Sequence, residues 1–236
     1  MYHENIRPSP IEGLETMAFS DRVMRLSAGR SDPPLPIRAA TLTEALEALS
    51  YARNRLGELV PNHVVEAVLE HNPELVQLVG TCNTEAAPNF LAFLPLNAAG
   101  ARAIIQGRFS GKQPDLDLVC RPSESLTAIY IWLIHAPLAL GPALRALAPL
   151  LRRLAPDGCP LFTRAATGHT ARLFPAMGFL SANDAYTNAA ADLLVLPPRG
   201  GLPAMGQASR TASACSRSPE RSPIRPTPGL PNGSTC

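Results

Sequence analysis

An apolar run near the middle of the chain limits the folds that this sequence can adopt. Residues 126–137, LTAIYIWLIHAP, form its most apolar strand-like segment and are rich in β-branched and aromatic side chains. Consecutive residues of the run are apolar, so a strand here has two faces to bury. Because 46% of the 236 residues are hydrophobic, the chain can bury such a strand in a sheet flanked by helices.

The segment that precedes this run begins with a short strand and two helices. Residues 35–41 predict the strand, and Thr41 with Glu44 forms a capping box that starts the first helix. Pro61 then opens a second helix over residues 62–71 as its first-turn proline. The predicted buried face of the first helix consists of Leu42, Ala45, Leu46, Leu49 and Ala52.

Two further apolar runs, residues 74–82 and 89–97, are joined by a polar loop that contains proline. This pattern predicts an antiparallel hairpin with a longer connection, which we place at the centre of the sheet. A short helix follows over residues 98–109. Residues 114–122 fit either a short strand or an extended connection.

Beyond the apolar strand, leucines recur at helical spacing over residues 140–155, LGPALRALAPLLRRLA. This segment predicts an amphipathic helix, with Pro149 as a bend. A strand is predicted at residues 159–167, CPLFTRAAT. The resulting alternation of strands and helices predicts an α+β fold.

The segment TARLFPAMGF, residues 170–179, predicts a short helix that ends at a glycine. Its apolar residues have helical spacing, and Gly178 stands where the helix would stop. Phe179 then opens the next buried element. A last pair of strands is predicted within residues 179–197.

Composition divides the chain into three parts. Residues 1–34 mix charged residues with proline and glycine and are predicted to be a loosely ordered leader, whereas residues 35–197 form the folded domain. Residues 198–236 are rich in proline, serine and arginine and are predicted to be a disordered tail. Without a signal-peptide-like segment or an apolar membrane span, we expect a cytoplasmic protein with no membrane contact.

Cysteine spacing argues against a metal site and a disulfide framework, and net charge argues against a nucleic-acid partner. The five cysteines are scattered and form no C-x-x-C pair, so we expect neither a metal site nor a disulfide framework. The formal net charge of +2 is too small to indicate a nucleic-acid partner. Both a monomer and a homodimer fit the sequence.

The order of these elements resembles that of the GNAT acyltransferase superfamily. Three stretches carry the resemblance: IRAATLTEALEAL (37–49), IYIWLIHAPLALGPALRALAPLL (129–151) and ARLFPAMGF (171–179). The resemblance implies a mixed, mostly antiparallel twisted sheet flanked by helices. It also implies acetyl-CoA or another acyl-CoA as co-substrate.

In that family, the pyrophosphate of the acyl-CoA lies at the start of the helix that follows the middle strand. Helix N-termini suit phosphate because their backbone N–H groups are unpaired. The resemblance places this loop at Ala136, Leu138, Gly141, Pro142 and Ala143. Gly141 and Ala143 match the family's Gly-x-Gly/Ala pair, but Leu138 replaces its usual Arg or Gln, and Pro142 has no N–H to donate.

The resemblance assigns two further residues to the cofactor. Thr167 stands where the family often has asparagine at the start of its last helix. Phe174 stands where it commonly has a tyrosine that protonates the leaving thiolate, and phenylalanine has no proton to give.

Candidate acid or base groups are few. His135 ends the middle strand beside the predicted cofactor loop, Tyr130 lies on that strand, and Glu124 precedes it. Each is able to orient or deprotonate an acceptor amine. Alternatively, Tyr130 is a core aromatic residue and Glu124 a solvated loop charge.

The leading functional hypothesis is an N-acyltransferase. It would move an acetyl or other acyl group from acyl-CoA to a small-molecule or protein amine by direct attack in a ternary complex. The alternative is a catalytically impaired GNAT-like binding or regulatory module. A third alternative is an unrelated α+β domain. Complete pairing of the strands at 126–134 and 160–165 would favour this alternative.

Overall fold

The computed structural model describes residues 35–80, 88–136, 140–155 and 158–198. The predicted leader at 1–34 lies outside these ranges, as do Leu138 and, apart from Pro198, the predicted tail. The described residues form one seven-stranded sheet with six α-helices, which confirms the α+β class. The sheet is mixed and mostly antiparallel.

Strands and helices follow one another in the order that the sequence predicts, with a 3-10 turn and the short helix Ala182–Ala185 in addition. They are β1 (Ile37–Ala39), α1 (Leu42–Leu56), α2 (Asn62–His71), β2 (Val76–Val79), β3 (Asn89–Leu96), α3 (Ala98–Ile105), a 3-10 turn (Leu116–Leu118), β4 (Ala128–His135), α4 (Leu140–Leu154), β5 (Leu161–Arg164), α5 (Gly168–Ala176), β6 (Leu180–Ser181), α6 (Ala182–Ala185) and β7 (Leu193–Leu196). In the segment predicted as a strand or an extended connection, Val119 forms a single bridge with Leu96. The predicted hairpin is β2 paired antiparallel to β3.

The strand order across the sheet is β1-β2-β3-β4-β5-β7-β6. Only the β4–β5 pair among these neighbours is parallel. The prediction that the β2–β3 hairpin forms the centre was wrong, because three strands that come later in the chain lie beyond β4 and leave β4 in the middle. This position explains why β4 is the most apolar strand: helices cover both of its faces.

Alternate residues of β3 point to different layers. Phe90 and Ala92 belong to a cluster built with α1 and one side of α2, whereas Leu91 and Phe93 belong to a larger cluster that includes α4. This alternation is the period-two pattern of a strand that is buried on both faces. Helices therefore cover the sheet on two sides.

A hydrogen-bonded network fixes the junction of β1 and α1. The Thr41 side chain accepts from the backbone N–H of Glu44, and the Glu44 carboxylate accepts from the backbone N–H of Thr41, which confirms the capping box. Arg38 on β1 also donates to that carboxylate, at 2.9 Å. These interactions, led by the one with Arg38, lower the pKa of Glu44 to about 2.

Two local predictions for the first helices were wrong. Leu42 is 46% exposed, since it is the first residue of α1 and the buried stripe begins one turn later at Ala45. Pro61 is the N-cap residue of α2 and lies just outside its first turn. Both differences concern helix ends, where periodicity carries the least information.

The prediction for TARLFPAMGF is confirmed. Helix α5 ends at Ala176, and Gly178 adopts φ of 89°, a left-handed conformation that favours glycine. The backbone N–H of Phe179 donates to the carbonyl of Phe174 at 3.0 Å. Both rings are buried, with centroids 5.1 Å apart.

Candidate functional site

Strands β4 and β5 pair only over a short stretch at their amino ends. Ile129 pairs with Leu161 and Tyr130 with Phe162, while β4 continues to His135. Just beyond the ladder, the Thr163 hydroxyl donates to the carbonyl of Ile131 at 3.4 Å. The central strand thus extends past its parallel neighbour, so its edge beyond Tyr130 is outside the β4–β5 register.

A bulge in β4 lies at the same place. On β3, Ala92 and Phe93 are consecutive, but their partners on β4 are Leu133 and Ile131, so Trp132 is an extra residue in the register. The Trp132 indole N–H donates to the carbonyl of Gly111 at 2.7 Å. Bulges re-aim side chains, and this one directs the indole to the loop after α3.

A cavity of about 430 Å³ lies beside the bulge. Its walls come from α1, the segment before α2, strands β2 to β5 and the loop after α3. Most of these walls are apolar, with Leu49, Phe90 and Trp132 as examples. Small-molecule sites have this size range and this mixture of apolar walls with a few polar groups.

Tyr130 is one of the polar residues that line the cavity. The Tyr130 residue is 6% exposed, and the guanidinium of Arg164 at the end of β5 is close enough to act electrostatically on its hydroxyl. Asp192 forms an ion pair with Nε of Arg164 at 3.0 Å. A Cβ atom on Gly111 would lie 3.2 Å from the Tyr130 hydroxyl, so the glycine allows this loop to approach the ring closely.

Burial keeps Tyr130 in its protonated form. Desolvation raises the pKa of its hydroxyl above the ordinary tyrosine value, although the Arg164 guanidinium acts in the opposite direction. The neutral phenol can donate a proton or a hydrogen bond at physiological pH. Of the three predicted catalytic residues, Tyr130 is the one that lines this cavity within the described part of the chain.

His135 lies at the far end of β4 and contacts aromatic residues instead. Its ring is 5.6 Å from that of Phe90 and 5.8 Å from that of Tyr51 on α1. The residue is 6% exposed, and its Nε2 atom is buried without a hydrogen-bond partner in the described structure. Desolvation, assisted by the positive charge of Arg55, lowers the pKa of His135 below its ordinary value.

This burial predicts a pH-dependent stability. Below about pH 6.5 the unfolded chain binds a proton at this histidine that the folded state resists, so the free energy of unfolding should decrease as the pH falls. A His135→Phe variant, which keeps an aromatic ring between Tyr51 and Phe90, should lose this part of the dependence. Urea unfolding at a series of pH values measures it, and equal pH dependence in the two proteins would contradict the assignment.

Glu124 lies at a second cavity, of about 250 Å³. Its carboxylate accepts from the backbone N–H of Arg121 at 2.8 Å and stabilises the turn that precedes β4. Cys120 and Arg153 line the same cavity. The structure therefore brings Glu124 together with neither Tyr130 nor His135.

The residues assigned to the cofactor by resemblance lie at three places. Ala136 follows β4, and Pro142 and Ala143 lie with Gly141 in the first turn of α4, where Ala143 is fully buried. The Thr167 hydroxyl caps α5 by accepting from the N–H of Thr170. Phe174 is 3% exposed and packs on Phe179.

The described cysteines are unsuited to nucleophilic catalysis. Burial raises the pKa of Cys120 to about 11 and that of Cys159 to about 12, so both thiols stay protonated near neutral pH. Cys82, Cys215 and Cys236 lie outside the described residues. Within the described ranges, no group of three His, Cys, Asp or Glu side chains is placed to hold a metal ion.

The cavity residues that sequence reasoning missed include Lys112, Trp132 and Arg164. One signal was available, since Lys112 is the only lysine of the chain. Arg164 and Trp132 gave no local signal, because they reach the cavity through the end of β5 and through a bulge. None of the helices in the described ranges has the length and apolar character needed to cross a bilayer.

No family model, curated protein or solved structure matches this chain. The assignment of a function therefore depends on the sheet, the cavity and the side chains described above.

Proposed function

We propose that this chain is a GNAT-like N-acyltransferase that uses acetyl-CoA or another acyl-CoA. The observation that carries the proposal is the short β4–β5 contact, beyond which β4 continues beside an apolar cavity. An extended acyl-CoA arm needs a strand edge with free backbone groups, and an acceptor amine needs a pocket next to it. The cavity at Tyr130 adjoins this edge.

The described residues fit such a co-substrate in part. The part of β4 after Tyr130, which lies outside the β4–β5 register, would hold the arm, and α4, which starts five residues after β4 ends, would receive the pyrophosphate. Pro142 removes one N–H from that turn. Phe174 and Thr167 would support α5 through packing and capping, since the ring and the hydroxyl are already engaged there.

Tyr130 supplies the group that Phe174 lacks. In acyl transfer, the amine nitrogen forms a bond to the acyl carbon, the carbon–sulfur bond breaks, and the thiolate takes up a proton while the nitrogen releases one. Tyr130 is protonated, lies at the point where β4 and β5 part, and faces the cavity. We assign it the role of general acid, and the proton released by the amine restores its hydroxyl.

Titration calorimetry with acetyl-CoA and longer acyl-CoAs tests the proposal. We expect binding by the unmodified chain and at least about a tenfold loss in Gly141→Glu, because a carboxylate at the start of α4 repels phosphate. Gly168→Glu is the matched control: it adds the same charge to the first turn of α5, where a Cβ atom meets nothing within 4 Å. Absence of binding at millimolar ligand, or equal loss in both variants, would contradict the proposal.

A binding or regulatory module is the second candidate function. Phe174 favours this alternative, because its ring is buried in the core at a position where the GNAT superfamily commonly has a tyrosine that donates a proton. Thiol release from acyl-CoA in the presence of an amine panel distinguishes the two. Acyl-CoA binding without thiol release from any amine favours the module.

A further inference from the structure

The chemistry of the 430 Å³ cavity identifies a class of acceptor. Its apolar walls come from several elements, with Leu49 from α1, Phe90 from β3 and Trp132 from β4. A ligand that fills this space needs an apolar body, because polar atoms placed against these walls would lose their hydrogen bonds to water.

Two cationic side chains, Arg164 and Lys112, line the cavity. Arg164 lines the cavity together with Tyr130 and acts electrostatically on its hydroxyl, and the Arg164 side chain is 23% exposed. Lys112 also lines the cavity, and it directly follows Gly111, whose position for a Cβ atom is 3.2 Å from the same hydroxyl. The walls of the cavity thus carry two cationic side chains.

Arg164 retains donors for a ligand. Its ion pair with Asp192 uses Nε, whereas a guanidinium has further N–H donors in a planar fork that matches a carboxylate. Glu58, the acidic side chain among the residues that line the cavity, is an exposed residue between α1 and α2. The polar end of the cavity therefore favours an anionic group.

We propose that this cavity binds an α-amino acid with a large apolar side chain, whose carboxylate is held by Arg164 and Lys112. In an α-amino acid the amine is one carbon away from the carboxylate. A carboxylate held at Arg164 therefore places the amine near Tyr130, where β4 and β5 part. The amine's role as acyl acceptor depends on the proposed function, whereas binding of the amino acid does not require acyl-CoA.

Titration calorimetry without acyl-CoA, using four probes, tests this inference. L-phenylalanine and 3-phenylpropanoate should bind at least about tenfold more tightly than phenethylamine, which lacks the carboxylate, and than L-alanine, which lacks the apolar body. Equal affinity for phenethylamine would overturn the anionic recognition, and equal affinity for L-alanine would overturn the apolar pocket. If neither L-phenylalanine nor 3-phenylpropanoate binds, the proposed amino-acid site is contradicted as a whole.

Variants identify the residues responsible. Lys112→Gln and Arg164→Gln should each reduce L-phenylalanine affinity by about tenfold. Asp192→Asn breaks the same ion pair as Arg164→Gln but keeps the guanidinium, so it should retain the affinity. Equal losses in Asp192→Asn and Arg164→Gln would show that Arg164 has only a structural role and would overturn its assignment.

Different results would contradict the proposed acyl transfer and the proposed amino-acid pocket. Binding of L-phenylalanine without thiol release from acyl-CoA would support the pocket and contradict the acyl transfer. Thiol release with another class of amine, together with no binding of the four probes, would support the transfer and overturn the amino-acid pocket.

Discussion

Replacement of Tyr130 by phenylalanine should lower the kcat of acyl transfer by about 10²-fold to 10⁴-fold, the usual contribution of a general acid. The phenyl ring keeps the edge-to-face contact with Phe109, whose centroid is 5.8 Å away, so the fold should persist. The hydroxyl is the group removed, and with it the proton for the leaving thiolate. Steady-state kinetics with the amine that the panel identifies measures the effect.

The chain contains a matched control for this substitution. Tyr186 is also buried, its pKa is raised to about 12 by desolvation, and its ring packs 5.9 Å from that of Phe162. It is absent from the described residues that line the cavity. Tyr186→Phe should therefore retain kcat, and a Tyr130→Phe variant with unchanged kcat would contradict the general-acid role.

Truncation of Phe162 to alanine should lower the free energy of unfolding by about 3 to 5 kcal/mol. This residue has no exposed surface, and its partners in the sheet are Tyr130 on β4 and Val195 on β7. Removal of the ring leaves a cavity at the one place where the two antiparallel parts of the sheet join. Urea unfolding measures the loss, and the m-value should stay near that of the unmodified chain.

Leu180→Ala provides the comparison. Leu180 lies on the edge strand β6 and is 46% exposed, so its truncation should cost about 0.5 kcal/mol. Similar losses in the two variants would show that the β4–β5 junction contributes no more to stability than the sheet edge.

Much of the fold was predictable because local signals agreed with the tertiary structure. The capping box at Thr41 and the glycine exit at Gly178 depend on interactions within a few residues, and the structure has both. The position of the hairpin in the sheet was not predictable in this way. It depends on which strand pairs with β5, and this pairing joins residues that are far apart in the sequence.

Less of the candidate site was predictable. Tyr130 was selected for its place on the apolar strand, and it does line the cavity. The partners of Tyr130 were missed because Arg164 and Gly111 approach it from distant parts of the sequence. His135 was selected for its place beside the predicted cofactor loop and Glu124 because it precedes β4, and neither residue lines that cavity.

The extra residue at Trp132 changes the phase of the central strand. Tyr130 is opposite Leu94, but Leu133 and His135 are opposite Ala92 and Phe90, so the side chains that face α1 change from even to odd numbers. Because helices cover both faces of the sheet, consecutive residues of the strand are buried or half-buried on either side of this change. Deletion of Trp132 would leave an unbroken two-residue period, with Tyr130, Leu133 and His135 still on one face of the strand, and would remove the indole that donates to Gly111.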